Sequence, residues 1–317
     1  MIRIKESIDP TFKLGYIPHG WLDRALERPD AIDRKGIDIF KANDIKVVHG
    51  NEKADIGFSK HGDKVQGVSR NKCILVKTEP PIYNLYFGLR LNNPRYQKKF
   101  LAVMSNTKTK GLDEVHFNTP QKCFVYKNLF WKPKKKFLCT VLKNKNNTRI
   151  INNFIPFLRK YNKHNNMQLR IDADLVFCKA FGPNRYFSYG KGWNESCFHG
   201  RTQNQFQTFS EHKFTFAMEN SCFRGYVTEK PIQAMCCGSI PIYLGAPDVD
   251  YYLPENSYID FRKYTIEELC AKLLTMSEDE YFKRRLTMNK FVSSNQADSF
   301  SSYTFAKKIV KIIEERL

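Results

Sequence analysis

The chain reads as an α/β protein with two parallel-sheet halves. Three observations predict this. Short apolar runs bounded by polar turns recur along its length, a strand–helix–strand unit stands out at 212–245, and a Lys-rich connector containing Pro133 separates two such series. In the first series KVVHG (46–50), ADIGFS (54–59), KCILVKT (72–78), FLAVMSN (100–106) and KCFVYKN (122–128) read as strands, with a helix at Trp21–Glu27 before them. After the connector, KFLCTVL (136–142) reads as a strand. Arg149–Tyr161 carries apolar residues at spacings of three and four, a helical period. LRIDADLVF (169–177) reads as a strand. HKFTFAMEN (212–220) is a strand followed by a loop and a helix at Thr228–Cys237. That helix stops at Gly238, where glycine suits the terminating turn, and SIPIYLG (239–245) is the next strand. An amphipathic helix from about Tyr303 closes the chain. The domains expected are 1–132 and 133–317, the last helix free to pack back on the first. Ligands in such sheets bind at the carboxyl ends of the strands, here expected in the cleft between the halves.

Composition excludes several classes. At 317 residues with 42% apolar and 26% charged residues, the chain can bury a sizeable core and is not a disordered protein. No run reaches the roughly 18 apolar residues of a membrane span, and MIRIKESIDP at the N-terminus lacks the apolar stretch of a signal peptide. The nine cysteines are scattered and form no CxxC, which speaks against a zinc ribbon. They read mainly as reduced core cysteines of a cytoplasmic protein. Asn146-Asn147-Thr148 and Asn194-Glu195-Ser196 fit the glycosylation pattern but carry little weight without a secretion signal.

The net charge of +20 is concentrated. Val115 to Ile171 holds 13 Lys and Arg and no carboxylate, densest at WKPKKK (131–136). A solubilising face, an anionic partner such as a nucleotide diphosphate or acidic membrane, and nucleic acid all fit such a run. No zinc-finger spacing, RNP aromatic signature or helix-turn-helix pattern supports nucleic acid.

The residues with the most chemistry are Glu219-Asn220-Ser221 at a strand end and Tyr226-Val227-Thr228-Glu229-Lys230 at a helix start. A helix N-terminus offers unpaired N–H groups and a positive dipole, which suit a phosphate. Lys230 adds a cation, Glu229 accepts from sugar hydroxyls, and Asn220 donates and accepts. The alternative is a plain capped helix, with Thr228 as the N-cap and Glu229 in the first turn.

ENS followed by YVTEK resembles the signature of the α-1,3/1,4-fucosyltransferases, glycosyltransferase family 10. The likeness runs in order through KF-F--ENS, YVTEK, G-IPIYLGAP and YLPENSYID, over 212–261. YFSYGKGW (186–193) resembles the family's weaker VD-YG-C stretch, with Phe187-Ser188 where Val-Asp is usual. The N-terminal half resembles the family only in outline. The resemblance implies two Rossmann-like domains facing across a cleft (GT-B), GDP-fucose as donor, and inversion at the anomeric carbon. Carried onto the motif, Asn220, Tyr226, Glu229 and Lys230 contact GDP-fucose. Arg149, after KFLCTVL, fits the donor-phosphate arginine, and Glu79 in CILVKTEPP fits the general base. Each has a bland counterpart: Arg149 as a surface residue at a helix start, Glu79 as a strand-end carboxylate. Glu79 also has chemistry of its own. It leaves an apolar strand before Pro80-Pro81, which stiffen the loop, so it is held where it can take a proton from a hydroxyl. Glu219 reads as a structural carboxylate, and Ser221, Tyr189 and Lys191 as supporting positions.

No cofactor is expected, and none of these roles needs a metal, although stimulation by a divalent ion is compatible with them. Asp172-Ala173-Asp174 is formally a DxD but reads as turn or surface. The expected partners are GDP-fucose, a glycan acceptor (O3 of a GlcNAc or Glc residue) and, through the basic run, an anionic membrane at its cytoplasmic face. The competing readings are a transferase for another GDP-sugar and a non-catalytic glycan- or nucleic-acid-binding protein. The intact set Glu79, Asn220, Tyr226, Glu229 and Lys230 argues against the latter.

Overall fold

The computed structural model describes residues 1–6, 39–48, 51–80, 87–120, 127–144, 164–193 and 196–317. The helices expected at Trp21–Glu27 and Arg149–Tyr161, and the first part of KCFVYKN, lie outside these residues. The chain divides into two compact units, Met1–Lys122 with Asp298–Leu317, and Cys123–Ala297.

In the first unit, β1 (Ile2–Glu6), α1 (Ile39–Ala42), β2 (Ile45–Val47), β3 (Ile56–Lys60), β4 (Cys73–Lys77), α2 (Pro94–Gln97), β5 (Ala102–Ser105) and β6 (Val115–His116) follow in order. The strands form one sheet, β2-β1-β3-β4-β5-β6, and each neighbouring pair is parallel. A parallel sheet covered on both faces favours near-continuous apolar strands, and β4 (CILVK) is buried at every residue, its terminal Lys77 included. β1 was hidden in IRIKE, where lysine and arginine alternate with isoleucine.

The last helix, α9 (Ser302–Arg316), belongs to this unit. Its apolar stripe of Phe305, Ile309, Val310, Ile312 and Ile313 joins Ile4, Phe58, Val76 and Met104 in one core. Phe305 meets Phe58 and Phe117 edge-on, with centroids at 6.0 and 5.1 Å. Ser301 caps the helix, accepting from Thr304 N at 3.0 Å.

The second unit runs α3 (Lys127–Phe130), β7 (Lys136–Val141), α4 (Met167–Phe181), β8 (Tyr186–Tyr189), α5 (Gln205–Glu211), β9 (His212–Met218), α6 (Glu229–Cys236), β10 (Ile240–Leu244), β11 (Ile259–Asp260), α7 (Ile266–Thr275) and α8 (Glu278–Val292). Its sheet, β11-β10-β9-β7-β8, is parallel at every pairing, with Phe214 opposite Leu138 on one side and Ile240 on the other. Residues 127–132, expected with the N-terminal domain, group here because α3 docks into this unit. The Phe130 carbonyl accepts from the Arg285 guanidinium of α8. Gly238 ends α6 at φ 70°, and a Cβ there would sit 2.4 Å from the Phe130 carbonyl oxygen, so only glycine fits.

Three expectations are corrected. LRIDADLVF is not a strand but the middle of α4. Its buried residues, Arg170, Ala173, Asp174, Phe177 and Phe181, follow a helical spacing that includes an ion and a carboxylate, while Leu175 faces outward. Hence Asp172-Ala173-Asp174 is helical rather than a turn, and Asp174 is buried against the Tyr186 hydroxyl. Lys127 and Asn128, expected in a strand, open α3. Finally, the cysteines are not all reduced. Cys178 on α4 is bonded to Cys197 beyond β8, while the other described cysteines, 73, 139, 222, 236, 237 and 270, are free.

Candidate functional site

The polar signature residues meet at the carboxyl end of the second sheet. β9 delivers Glu219 and Asn220 past its last residue, Met218, and the loop to α6 brings Thr228 and Lys230 back over them. Glu219 is fully buried. It accepts from Thr228 N at 2.8 Å, and the Thr228 hydroxyl lies 2.8 and 2.9 Å from its two oxygens. Lys230 Nζ donates to Glu219 at 2.9 Å, to the Thr228 hydroxyl at 2.8 Å and to Glu229 at 3.3 Å.

Thr228 does occupy the N-cap position of α6, but its side chain caps no helix amide. Its hydroxyl is committed to Glu219 instead. The first amides of the helix are therefore left by Thr228 for another acceptor.

The electrostatics follow from this packing. Burial pulls the Lys230 ammonium down, but the Glu219 and Glu229 carboxylates outweigh it and hold its pKa above the ordinary lysine value. Burial pushes Glu229 up, but the Lys230 charge and hydrogen bonds hold it below the usual carboxylate range. Both groups are thus ionised at neutral pH. Of the three Lys230 contacts, the one to Glu229 is longest and involves a carboxylate 38% exposed. An incoming anion can replace it without disturbing Glu219.

The neighbouring positions are pinned. Asn166 donates from its backbone to the Asn220 carbonyl at 3.0 Å and from its side chain to the Glu219 carbonyl at 3.2 Å. Arg170 of α4, itself buried, donates to the Met218 carbonyl at 2.6 Å. Sequence reasoning missed both residues: Arg170 lay in the segment 169–177 read as a strand, and no motif marks a residue that acts only on backbone carbonyls. Ser221 is buried and donates to Asn220 Oδ1 at 3.1 Å. Tyr226 is buried too. Its carbonyl accepts from Tyr243 at 3.3 Å, and Gly225 N donates to Asp248 at 2.9 Å, so the loop has a fixed path into α6.

Tyr189 and Lys191 lie at the carboxyl end of β8, two strands away from β9 in the same sheet. Tyr189 stacks near His199 and His212, and burial pushes its phenol up to about 12; Lys191 is exposed. Arg149 lies outside the described residues.

Glu79 lies in the first unit, half-buried one residue past the end of β4 and its flanking Thr78. Its approach is braced. Asn106 donates to the Thr78 carbonyl at 2.5 Å, and the Thr78 hydroxyl is 2.8 Å from His61 Nε2. Beneath it, Lys77 and Glu114 form a buried pair at 2.5 Å, which Gln97 also joins at 2.6 Å. Among the described residues no cluster of His, Cys, Asp and Glu has the makings of a metal site.

The second unit is thus a parallel α/β sheet that presents a cation and a helix N-terminus not capped by the Thr228 side chain at its strand ends, the class of fold that binds phosphorylated ligands there. Comparison narrows the class. Residues 184–312 match the model for glycosyltransferase family 10 (fucosyltransferase), C-terminal part. An α-(1,4)-fucosyltransferase of Arabidopsis thaliana is 41% identical over 71 residues, 22% of this chain and 18% of that protein. A human 4-galactosyl-N-acetylglucosaminide 3-α-L-fucosyltransferase is 34% identical over 89 residues, 27% of this chain and 24% of that protein. The chain therefore matches about a fifth to a quarter of these relatives' length. Among solved structures, α1,3-fucosyltransferase crystallised with GDP-fucose superposes with a TM-score of 0.57 at 15% identity. That match covers 99% of this chain and 89% of that one. The same enzyme type with GDP gives 0.56. At such identity the likeness establishes the fold, two parallel-sheet α/β units of the GT-B kind.

Proposed function

We propose that the chain transfers L-fucose from GDP-fucose to a glycan hydroxyl, O3 of a GlcNAc or Glc residue, with inversion at the anomeric carbon. One observation carries this reading. The Glu219–Thr228–Lys230 cluster, at the N-terminus of α6, lies inside the segment that matches the fucosyltransferase family.

In this reading Lys230 and the α6 N-terminus take the diphosphate and stabilise the charge that develops on the departing GDP. Glu219 holds Lys230 in place. Glu229 and Asn220 accept from and donate to ribose or fucose hydroxyls, and Arg149 adds a second cation for the phosphates. Tyr226 joins Asn220 and Glu229 in holding the ribose, phosphate and fucose groups. Glu79 takes the proton of the acceptor hydroxyl as that oxygen attacks the anomeric carbon from the face opposite GDP. One displacement then turns a β-linked donor into an α-linked product. Every charge needed is supplied by side chains and helix amides, so turnover is proposed to need no cofactor or metal and to survive EDTA. Part of the basic run is proposed to meet the anionic membrane where glycan acceptors lie.

The test is acceptor-dependent GDP release from GDP-fucose and, in parallel, GDP-mannose, against lactose, N-acetyllactosamine and chitobiose. Release from GDP-fucose with one acceptor bears the reading out and identifies the acceptor. Release from GDP-mannose alone replaces fucose with another GDP-sugar. Absence of GDP binding overturns the reading.

A further inference from the structure

The basic run has a specific setting in the second unit, at the strand-start end of the sheet, away from the Glu219 cluster. Lys136 opens β7, Lys213 follows the first residue of β9, and Arg185 precedes β8. With Phe137, Tyr281 and Leu274 they line a cavity of about 350 Å³. Its charge balance can be followed group by group. Glu278 is matched by Lys213 at 2.6 Å, Asp279 by Lys283 at 2.8 Å, Glu280 by Lys272 at 2.7 Å and Arg284 at 3.0 Å, and Glu211 by Lys136 at 3.1 Å. Glu278, the carboxylate of the cavity lining, and its neighbours Asp279, Glu280 and Glu211 are therefore each paired with a cation. Lys135, exposed, and Arg185, exposed and stacked on Phe137 at 4.5 Å, remain as surplus charge, with Lys132 next to Trp131.

The same face is unusually apolar. Trp131 is 42% exposed, Phe282 50%, Leu286 37% and Leu274 50%. Phe282 and Leu286 are one turn apart on α8, and the Trp131 and Phe282 rings lie 6.3 Å apart. Single exposed apolar residues are ordinary, but a Trp–Phe–Leu group beside surplus lysines is not. Exposed aromatics with adjoining Lys and Arg make up a face that inserts into the headgroup layer of an anionic bilayer.

We propose that Trp131, Phe282, Leu286 and Leu274, with Lys132, Lys135 and Arg185, form the surface by which this protein docks on anionic membranes. This rests on the membrane contact proposed above and is independent of sugar transfer. The geometry has a functional corollary. β9 is seven residues long, roughly 23 Å at the rise of a strand, and separates the docking face from Glu219. Membrane contact at one end of the sheet thus leaves the strand-end site at the other unobstructed.

The experiment is cosedimentation of the full chain with phosphatidylcholine vesicles, with and without phosphatidylglycerol, while Trp fluorescence is followed. Of the three tryptophans, Trp193 is buried and Trp131 is on the face. Expected are binding only to the anionic vesicles, release by salt, and a blue shift that Trp131→Phe removes. Lys132→Glu/Lys135→Glu should lower partitioning about fivefold per charge, and Phe282→Ser roughly tenfold, with GDP binding and melting temperature unchanged. These two variants change exposed or half-exposed side chains, so folding is preserved while binding is read. Absence of vesicle binding overturns the proposal. So does binding that survives both variants, or binding without any change in Trp131 emission. A failure here with intact GDP release leaves fucosyl transfer standing; loss of GDP release with intact vesicle binding does the reverse.

Discussion

Each unit carries a buried Lys–Glu pair at the carboxyl end of its sheet, and the two are built for different ends. Lys77 and Glu114 are 4% and 5% exposed and touch at 2.5 Å. Lys77 has one carboxylate, and burial wins, so its pKa falls below the ordinary lysine value. Lys230 and Glu219 are 18% and 0% exposed. Lys230 faces two carboxylates, which outweigh burial and raise its pKa. The first pair is sealed from solvent, with Asn92 accepting from Lys77 and Gln97 donating to Glu114, and it lies at the end of β4, two residues before Glu79. The second keeps one contact, to exposed Glu229, that a ligand can displace. Similar residue chemistry makes a lock where the lysine is sealed and a receptor where one side of it stays in reach of solvent.

The sharpest way to break this contrast is at the residue just past the lock. Glu79→Gln should lower kcat roughly 10²–10⁴-fold in the GDP-release assay while GDP-fucose affinity, read by calorimetry, stays as in the wild type. Wild-type turnover in that variant would falsify the base assignment. Next in size, Lys77→Met leaves Glu114 buried and uncompensated, and should cost about 3–5 kcal/mol in urea unfolding. Adding Glu114→Leu should recover most of that loss, and no recovery would show that the pair is not closed.

A third probe uses His212, fully buried at the start of β9 and held by burial at about 4. It is bonded through Nδ1 to the Thr208 carbonyl at 2.7 Å. Its folded pKa lies below its unfolded value near 6.5. The unfolded chain therefore binds more protons between pH 6.5 and 4, and stability falls as pH falls through that window. The loss should reach about 3 kcal/mol in denaturant titrations across it, and His212→Gln should flatten the profile. The smallest effect belongs to the receptor. Lys230→Met removes a charged donor to the diphosphate and should weaken GDP-fucose binding roughly ten- to a hundredfold, with kcat at saturating donor lowered as well, since the same charge faces the departing GDP. A variant that binds GDP-fucose normally would make the second pair as structural as the first.

How legible each region was depends on where its partners lie in the chain. Glu219, Thr228, Glu229 and Lys230 fall within twelve residues, so a strand followed by a capped helix brings them together whatever surrounds it. The apolar runs of β4, β9 and β10 are equally plain, because a strand buried on both faces is apolar at most of its positions. α4 was misread because the residues it buries include Arg170 and Asp174, whose partners are the Met218 carbonyl and the Tyr186 hydroxyl. Their burial follows from those partners and leaves no apolar period to find. β1 escaped notice for the opposite reason, since Arg3, Lys5 and Glu6 mask its two isoleucines.

The chain's sequence therefore determined by itself the alternation of strands and helices, the parallel sheets and the cluster that closes over Glu219, all of which rest on residues near in sequence and on apolar periodicity. Tertiary structure alone decided that α9 completes the first core rather than the second. It also decided that Cys178 meets Cys197, that Asn166 and Arg170 hold the end of β9, and that Lys77 is sealed while Lys230 is not. Each of these depends on groups brought together from distant parts of the chain, and no local pattern encodes which distant partner a buried charge or thiol will meet.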